Sequence, residues 1–104
     1  MLASTILKLI NDMNWAFEHY ADRPDRLTIY DTALPYCKAW FTALRGGETT
    51  GLPRRNACAE HCLQQMLTAD RKIAALDPQC EGVGKHLDKQ RSYYAGEYQA
   101  ALAA

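Results

Sequence analysis

The 104-residue sequence has no excess of charge of either sign and no long hydrophobic run. Twelve basic residues balance twelve acidic ones, so the formal net charge at pH 7 is zero. Binding to duplex nucleic acid depends largely on neutralising phosphates with Lys and Arg, so this balance argues against duplex DNA or RNA as the main partner. It also provides no polybasic attraction to a membrane surface. No stretch approaches the roughly 18 apolar residues of a membrane-spanning helix.

The N-terminal sequence MLASTILKLINDMNW lacks the basic region that opens a secretory signal peptide. Its apolar residues are interrupted by Lys8, Asn11 and Asp12. We therefore expect a cytoplasmic protein. In a reducing compartment cysteines are thiols more often than disulfides. We expect free thiols at all four cysteines of the chain, Cys37, Cys58, Cys62 and Cys80.

The sequence also lacks the alternation of apolar and polar residues that is typical of a β-strand. Apolar residues recur instead at steps of three and four, in four segments separated by Gly and Pro. A chain of this length has room for one hydrophobic core, so we expect a single domain over residues 1–104. Because short connections favour antiparallel neighbours, the pattern predicts an all-α protein, an antiparallel four-helix bundle.

Proline and glycine set the expected helix boundaries. Asp25 is the expected N-cap of the second helix, which should stop at Gly46. Pro53 is expected in the first turn of the third helix, where proline is tolerated. Arg54 and Arg55 would then also stand in that first turn, where the helix dipole disfavours cations.

Pro35 falls inside the second helical segment. Proline removes a backbone donor and clashes with the carbonyl four residues earlier. We therefore expect the second helix to be kinked at Pro35, or split there into residues 25–34 and 35–45.

Aromatic residues lie where a four-helix bundle does not obviously need them. Trp15 is roughly opposite the centre of the apolar stripe of the first helix, at about 100° per residue. Its side chain must be covered by a loop, a partner or a second copy of the chain, unless a shifted register of the first helix leaves it half-buried. The second helix carries an additional apolar stripe that includes Tyr36 and Trp40. Such surfaces are typical anchors of protein interfaces. We predict partner contacts by Trp15, Tyr36, Trp40, Arg54 and Arg55.

A row of soft ligands follows the third helix. Cys58, Cys62 and Met66 are spaced one helical turn apart, and His61 lies at the edge of the row. Such ligands suit Cu(I), or zinc if another cysteine completes the set. The alternative is packing, because Cys62 and Met66 also occupy core positions and free cysteine is often buried.

The stretch RNACAEH, residues 55–61, resembles the Arg–polar–x4–His motif of HEPN ribonucleases, which are all-helical domains of similar size. The match covers only these residues. It implies that Arg55 binds phosphate, that Asn56 is the polar position, and that His61 assists attack by the 2′-hydroxyl of RNA. In that family dimerisation joins two motifs in one cleft.

Taken together, these patterns favour a small cytoplasmic interaction or regulatory module without enzymatic activity. We expect it to act through aromatic helix surfaces, as a homodimer or with another helical protein, and without a cofactor. The HEPN-like ribonuclease and a thiol-based metal or redox site remain the alternatives.

Overall fold

The structure is a computed structural model that describes residues 3–48 and 50–104. Within those ranges all regular structure is helical, and no strand is present. This confirms the all-α prediction and the expected number of helices. The elements are α1 (Ala3–His19), a 3₁₀ turn (Pro24–Arg26), α2 (Thr28–Leu44), α3 (Ala57–Ala75) and α4 (Glu81–Ala103).

The chain divides into two compact units, Met1–Arg55 and Asn56–Ala104. In the first unit α1 packs against α2, and in the second α3 packs against α4. Each unit is thus built on one pair of helices. The antiparallel bundle of all four helices and the single domain stay predictions.

In the first unit α1 buries one stripe of apolar side chains, whereas the buried residues of α2 spread over a wider face of the helix. The buried set of α1 follows the expected helical spacing, and the packed face of α2 is broader than one stripe. The buried residues of these helices are Ile6, Leu9, Ile10, Met13, Ala16, Tyr30, Ala33, Cys37 and Ala43.

Pro35 does not split the second helix, because α2 is continuous from Thr28 to Leu44. Asp31, whose carbonyl loses its helical donor to the proline, is exposed, as is Pro35 itself. Water can therefore hydrate the carbonyl, which lowers the cost of the missing hydrogen bond. The kink at Pro35 stays a prediction.

Asp25 does not cap α2, which begins after Leu27. Asp25 lies instead in the 3₁₀ turn, where its carboxylate accepts hydrogen bonds from the Arg23 guanidinium at 3.0 and 3.1 Å. That hydrogen bond lowers the pKa of the exposed Asp25 carboxyl group. Pro24 starts the 3₁₀ turn and so displaces the expected cap from the helix start.

The end of α2 agrees with the prediction at Gly46. Gly46 has a φ of +96°, a conformation that glycine adopts readily. The N–H groups of Gly46 and Gly47 donate to the carbonyl oxygens of Ala43 and Thr42, both at 3.1 Å. This is the hydrogen-bond pattern of a Schellman motif, which satisfies the last carbonyls of a helix.

In the second unit α3 is extensively buried, while α4 is largely exposed. The buried residues of α3 include two acidic side chains, and α4 contributes only Leu87 and Tyr98 among the described residues. No helix in the described ranges is long and apolar enough to cross a membrane. The buried residues of α3 are Ala59, Glu60, Cys62, Leu63, Met66, Leu67, Ala69 and Asp70.

Candidate functional site

Trp15 is half-buried and lies on the side of α1 away from the buried stripe. The imidazole of His19, one turn later, stacks on its indole with ring centroids 5.0 Å apart and planes 13° apart. Tyr20 contacts both rings edge-on, at 6.0 Å from Trp15 and 4.7 Å from His19. The Arg26 guanidinium lies over the Tyr20 ring at 5.1 Å. The first unit therefore partly covers Trp15 with its own aromatic side chains.

Exposed side chains accompany Trp15 along the same side of α1. Leu7 is 39% exposed, and Glu18 and His19 are also exposed. The Lys8 ammonium group donates to the Asp12 carboxylate at 2.8 Å, yet the Lys8 side chain remains 61% exposed. This side combines a large aromatic ring with charges of both signs. We call it the outer face of α1 and define it as Leu7, Lys8, Asn11, Trp15, Glu18 and His19.

Trp40 is half-buried and contacts the segment that follows α2. Its indole N–H donates to the carbonyl oxygen of Pro53 at 3.0 Å, and the Arg55 guanidinium lies over its ring at 5.4 Å. Trp40 thus fixes the last residues of the first unit. Tyr36 is half-buried one turn before Trp40, and Arg54 is exposed. Contacts of these residues with a partner stay a prediction.

The start of α3 differs from the sequence prediction. Asn56 is the N-cap, and its Oδ1 accepts a hydrogen bond from the Ala59 N–H at 2.9 Å. Pro53, Arg54 and Arg55 precede the helix instead of standing in its first turn. Asparagine is a strong N-cap because its side chain replaces a missing helical acceptor, and here it sets the start of the helix instead of the proline.

Asn56 has a second structural role inside the second unit. Its Nδ2 donates to the carbonyl oxygen of Ala101, near the end of α4, at 3.1 Å. Both polar atoms of the side chain therefore hold helix ends. This accounts for the asparagine of the RNACAEH stretch without catalysis.

His61 is exposed on α3, next to tyrosines of α4. Its ring meets the Tyr94 ring edge-on at 6.3 Å, and Tyr93 contacts Tyr94 at 5.1 Å. Tyr93 is 61% exposed. The ribonuclease roles of Arg55 and His61 stay predictions.

Cys58 and Cys62 lie one turn apart on α3. Cys58 is exposed and Cys62 is buried. Burial raises the pKa of the Cys62 thiol, and Cys58 and Glu97 act in the same direction. Met66, the third member of the predicted row, is fully buried. Within residues 3–48 and 50–104 no group of three or more His, Cys, Asp or Glu side chains is placed to hold a metal ion.

The second unit also contains a buried ion pair that sequence reasoning missed. The Arg91 Nε donates to both carboxylate oxygens of Asp70, at 2.9 and 3.1 Å. The Asp70 side chain is fully buried and that of Arg91 is 12% exposed. The pair joins α3 to α4, and its carboxylate is already occupied by a guanidinium.

Comparison with known proteins gives no family to which this chain can be assigned. No protein-family model, curated protein or solved structure matches it. The outer face of α1 combines a large aromatic ring with exposed charges of both signs.

Proposed function

We propose that this chain is a non-enzymatic protein-interaction module that forms a homodimer through the outer face of α1. The observation that carries the proposal is the position of Trp15 outside the buried stripe of its own helix, half-buried and stacked on exposed His19. Tryptophan contributes more to protein interfaces than most residues, because its ring removes a large area from water.

The pattern of charges on the outer face favours a second copy of the same chain. Lys8, Asn11, Trp15 and Glu18 follow one another at steps of three and four residues and so share one side of α1. When two such faces meet in antiparallel orientation about a two-fold axis, Asn11 lies opposite Trp15 of the partner subunit. Lys8 then lies opposite Glu18 of the partner subunit.

The two-fold axis repeats this pairing, so each dimer gains two such ion pairs. In the monomer Lys8 already binds Asp12. In the proposed dimer its ammonium group lies between the carboxylate of Asp12 and that of Glu18 of the partner subunit. The charges specify orientation and register, while the indole ring supplies most of the buried apolar area.

The zero net charge adds a general argument. Chains without net charge do not repel each other at long range, so a specific apolar contact between copies is not opposed. A cytoplasmic location is part of this proposal. Another helical protein as the partner is an alternative outcome of the experiment below.

Sedimentation velocity of the full chain over a range of concentrations tests the proposal. The wild-type chain should dimerise, and Trp15→Ala should remain monomeric while retaining its helical circular dichroism spectrum. Lys8→Glu and Glu18→Lys should each weaken the dimer roughly 2- to 30-fold, because each disrupts two exposed ion pairs. The double variant Lys8→Glu/Glu18→Lys should restore dimerisation, since it exchanges the charges without removing them.

Lys38→Glu is the matched control, because Lys38 is an exposed lysine on α2 outside the proposed contact. It should leave dimerisation unchanged. A wild-type chain that stays monomeric would overturn the homodimer and direct attention to a different partner. Unchanged association in Trp15→Ala, or no recovery in the double variant, would overturn the proposed contact on α1.

A further inference from the structure

An aromatic cluster in the second unit is open to solvent. The ring of His61 on α3 meets the Tyr94 ring of α4 edge-on, with centroids 6.3 Å apart and planes at 84°. Tyr93 meets Tyr94 in the same way, at 5.1 Å and 79°. His61 is exposed, Tyr93 is 61% exposed and Tyr94 is half-buried. We call these three residues the α3–α4 aromatic cluster. Because neighbouring rings are nearly perpendicular, their faces point in at least two directions.

Other aromatic rings of this chain show which cation such rings bind. In the first unit a guanidinium lies over the rings of Tyr20, Phe41 and Trp40, at 5.1, 5.5 and 5.4 Å from their centroids. The arginines that supply these cations are Arg26, Arg45 and Arg55. In the part of the chain that the structure describes, no cation lies over Tyr93 or Tyr94. The exposed ring of Tyr93 is therefore available to a cation from another molecule.

A carboxylate beside the cluster supplies the complementary charge. Glu97 follows Tyr93 by four residues and Tyr94 by three, so these side chains share one side of α4. Glu97 is exposed and makes no ion pair with a residue in the ranges 3–48 and 50–104. A guanidinium stacks on an aromatic face and also donates two parallel hydrogen bonds to a carboxylate, a combination that an ammonium group cannot make. The chemistry of this side of α4 therefore matches an arginine side chain.

We propose that the α3–α4 aromatic cluster and Glu97 bind an arginine side chain of a partner protein. The guanidinium stacks on the Tyr93 ring, and its N–H groups donate to the Glu97 carboxylate. His61 and Tyr94 hold the aromatic surface together through their edge-on contacts. Because most of the Tyr93 ring is exposed, the site suits a side chain presented by a peptide better than a free small ligand, which needs a pocket that buries most of its surface. The site does not involve the dimer contact proposed on α1.

The test is an NMR titration of the full chain, with isotope-labelled tyrosine, against short blocked peptides of alternating glycine and arginine. These peptides should shift the ring resonances of Tyr93 and Tyr94 with an affinity in the millimolar range. The matched peptide with citrulline, which keeps the shape of arginine but not its charge, should bind at least about 3-fold more weakly. The peptide with lysine should also bind more weakly than the arginine peptide, because an ammonium group does not pair with a carboxylate through a planar fork.

Variants of exposed residues on α4 locate the site. Tyr93→Ala and Glu97→Gln should each weaken binding of the arginine peptide by roughly 2- to 5-fold, because each removes one of the two contacts. Glu81→Gln is the matched control, since Glu81 is an exposed glutamate at the other end of α4. It should bind as the wild type does. Lys89 precedes Tyr93 by one helical turn and carries the opposite charge to Glu97, so Lys89→Gln should not weaken binding.

Equal binding of the arginine and citrulline peptides would overturn the site, as would shifts confined to residues outside the cluster. Unchanged affinity in Tyr93→Ala or in Glu97→Gln would do the same. A second copy as the occupant is tested in Trp15→Ala without peptide. Tyrosine resonances of the cluster that move with protein concentration in this variant would identify the second copy and rule out a separate partner. Circular dichroism of each variant ensures that lost binding is not lost folding.

Discussion

At the scale of single residues, the ion pair of Asp70 and Arg91 is the buried charged contact between α3 and α4. A charge buried away from water is costly unless a partner of opposite charge compensates for it. Here both carboxylate oxygens of Asp70 accept hydrogen bonds from one guanidinium nitrogen. The contact therefore constrains how α3 and α4 align. Removing either side chain leaves the charge of the other uncompensated.

Asp70→Ala should lower the free energy of unfolding by roughly 3–5 kcal/mol, measured by urea denaturation, because buried Arg91 loses its partner. The exposed pair of Lys85 and Glu81, 3.5 Å apart, provides the control. Lys85→Ala should change the same free energy by less than about 1 kcal/mol. The double variant Asp70→Leu/Arg91→Met should recover most of the loss. Equal effects of Asp70→Ala and Lys85→Ala would contradict the assigned importance of burial.

The raised pKa of Cys62 predicts how the free energy of unfolding changes at alkaline pH. Its pKa in the folded chain is raised above the ordinary value of 9.0. Near pH 8 the thiol is largely protonated in both states and contributes little. As the pH rises through the pKa that Cys62 has in the unfolded chain, the unfolded chain loses the thiol proton before the folded chain does. The free energy of unfolding therefore falls until the pH reaches the pKa of Cys62 in the folded chain. The slope for one proton is at most about 1.4 kcal/mol per pH unit.

In Cys62→Ala this contribution disappears, so the loss of stability between about pH 8 and pH 10 should be smaller than in the wild type. Urea denaturation at each pH measures the difference. Cys80→Ala serves as the control because Cys80 is exposed, and it should retain the wild-type pH dependence. A Cys62→Ala profile parallel to the wild type would show that burial does not hold this proton.

Asn56 and Asp70 show which residue contacts the sequence could not predict. The N-cap tendency of Asn56 was visible in its residue type, but Pro53 offered a competing start for the same helix. The hydrogen bond from Asn56 to Ala101 joins positions distant in sequence, and the same holds for Asp70 with Arg91. Helical periodicity indicates which side of a helix is apolar, but not which polar residue on it meets a partner from another helix.

At the scale of elements, helical periodicity predicted the number of helices and Gly46 predicted the stop of α2, but the predicted starts of α2 and α3 were wrong. The 3₁₀ turn of Pro24–Arg26 displaced the expected cap, and solvent exposure let α2 continue through Pro35. The segment after α2 returns to contact Trp40, which no periodic pattern encodes. Of the candidate site, the position of Trp15 outside the buried stripe was predictable, whereas its stacking on His19 was not.

Trp40→Phe should loosen the connection between α2 and α3, because phenylalanine keeps an aromatic ring but loses the donor to Pro53. Limited trypsin digestion should cleave after Arg54 several-fold faster in this variant, since cleavage requires local release of the backbone. Mass spectrometry of the fragments measures the rate. Trp15→Phe is the control and should digest at the wild-type rate at this bond. Identical rates in both variants would mean that the hydrogen bond of Trp40 does not restrain the segment.

At the scale of the whole molecule, self-association must affect thermal stability if the proposed dimer is correct. A dimer that dissociates on unfolding becomes more stable as protein concentration rises, through mass action. Measuring how thermal stability depends on concentration requires no label and no assumption about the contact geometry. It is therefore an independent check on the contact proposed for Trp15.

A 100-fold increase in protein concentration should stabilise the wild-type dimer by about 2.7 kcal/mol. The corresponding rise in Tm is about 5–10 °C for a dimer of this size, measured by differential scanning calorimetry. Trp15→Ala should show no such rise, while Lys38→Glu should behave as the wild type does. A wild-type Tm that does not change with concentration would argue against association of the folded chain.

The two tryptophans of the chain lie in one unit, and the three tyrosines of α4 lie in the other. Trp15 and Trp40 both belong to the first unit, whereas Tyr93, Tyr94 and Tyr98 belong to the second. Excitation near the red edge of indole absorption therefore monitors α1 and α2 without a label. In a double variant Trp15→Phe/Trp40→Phe the remaining emission comes from tyrosine, with a large share from α4. Tryptophan fluorescence can thus follow the unfolding of the first helix pair by itself.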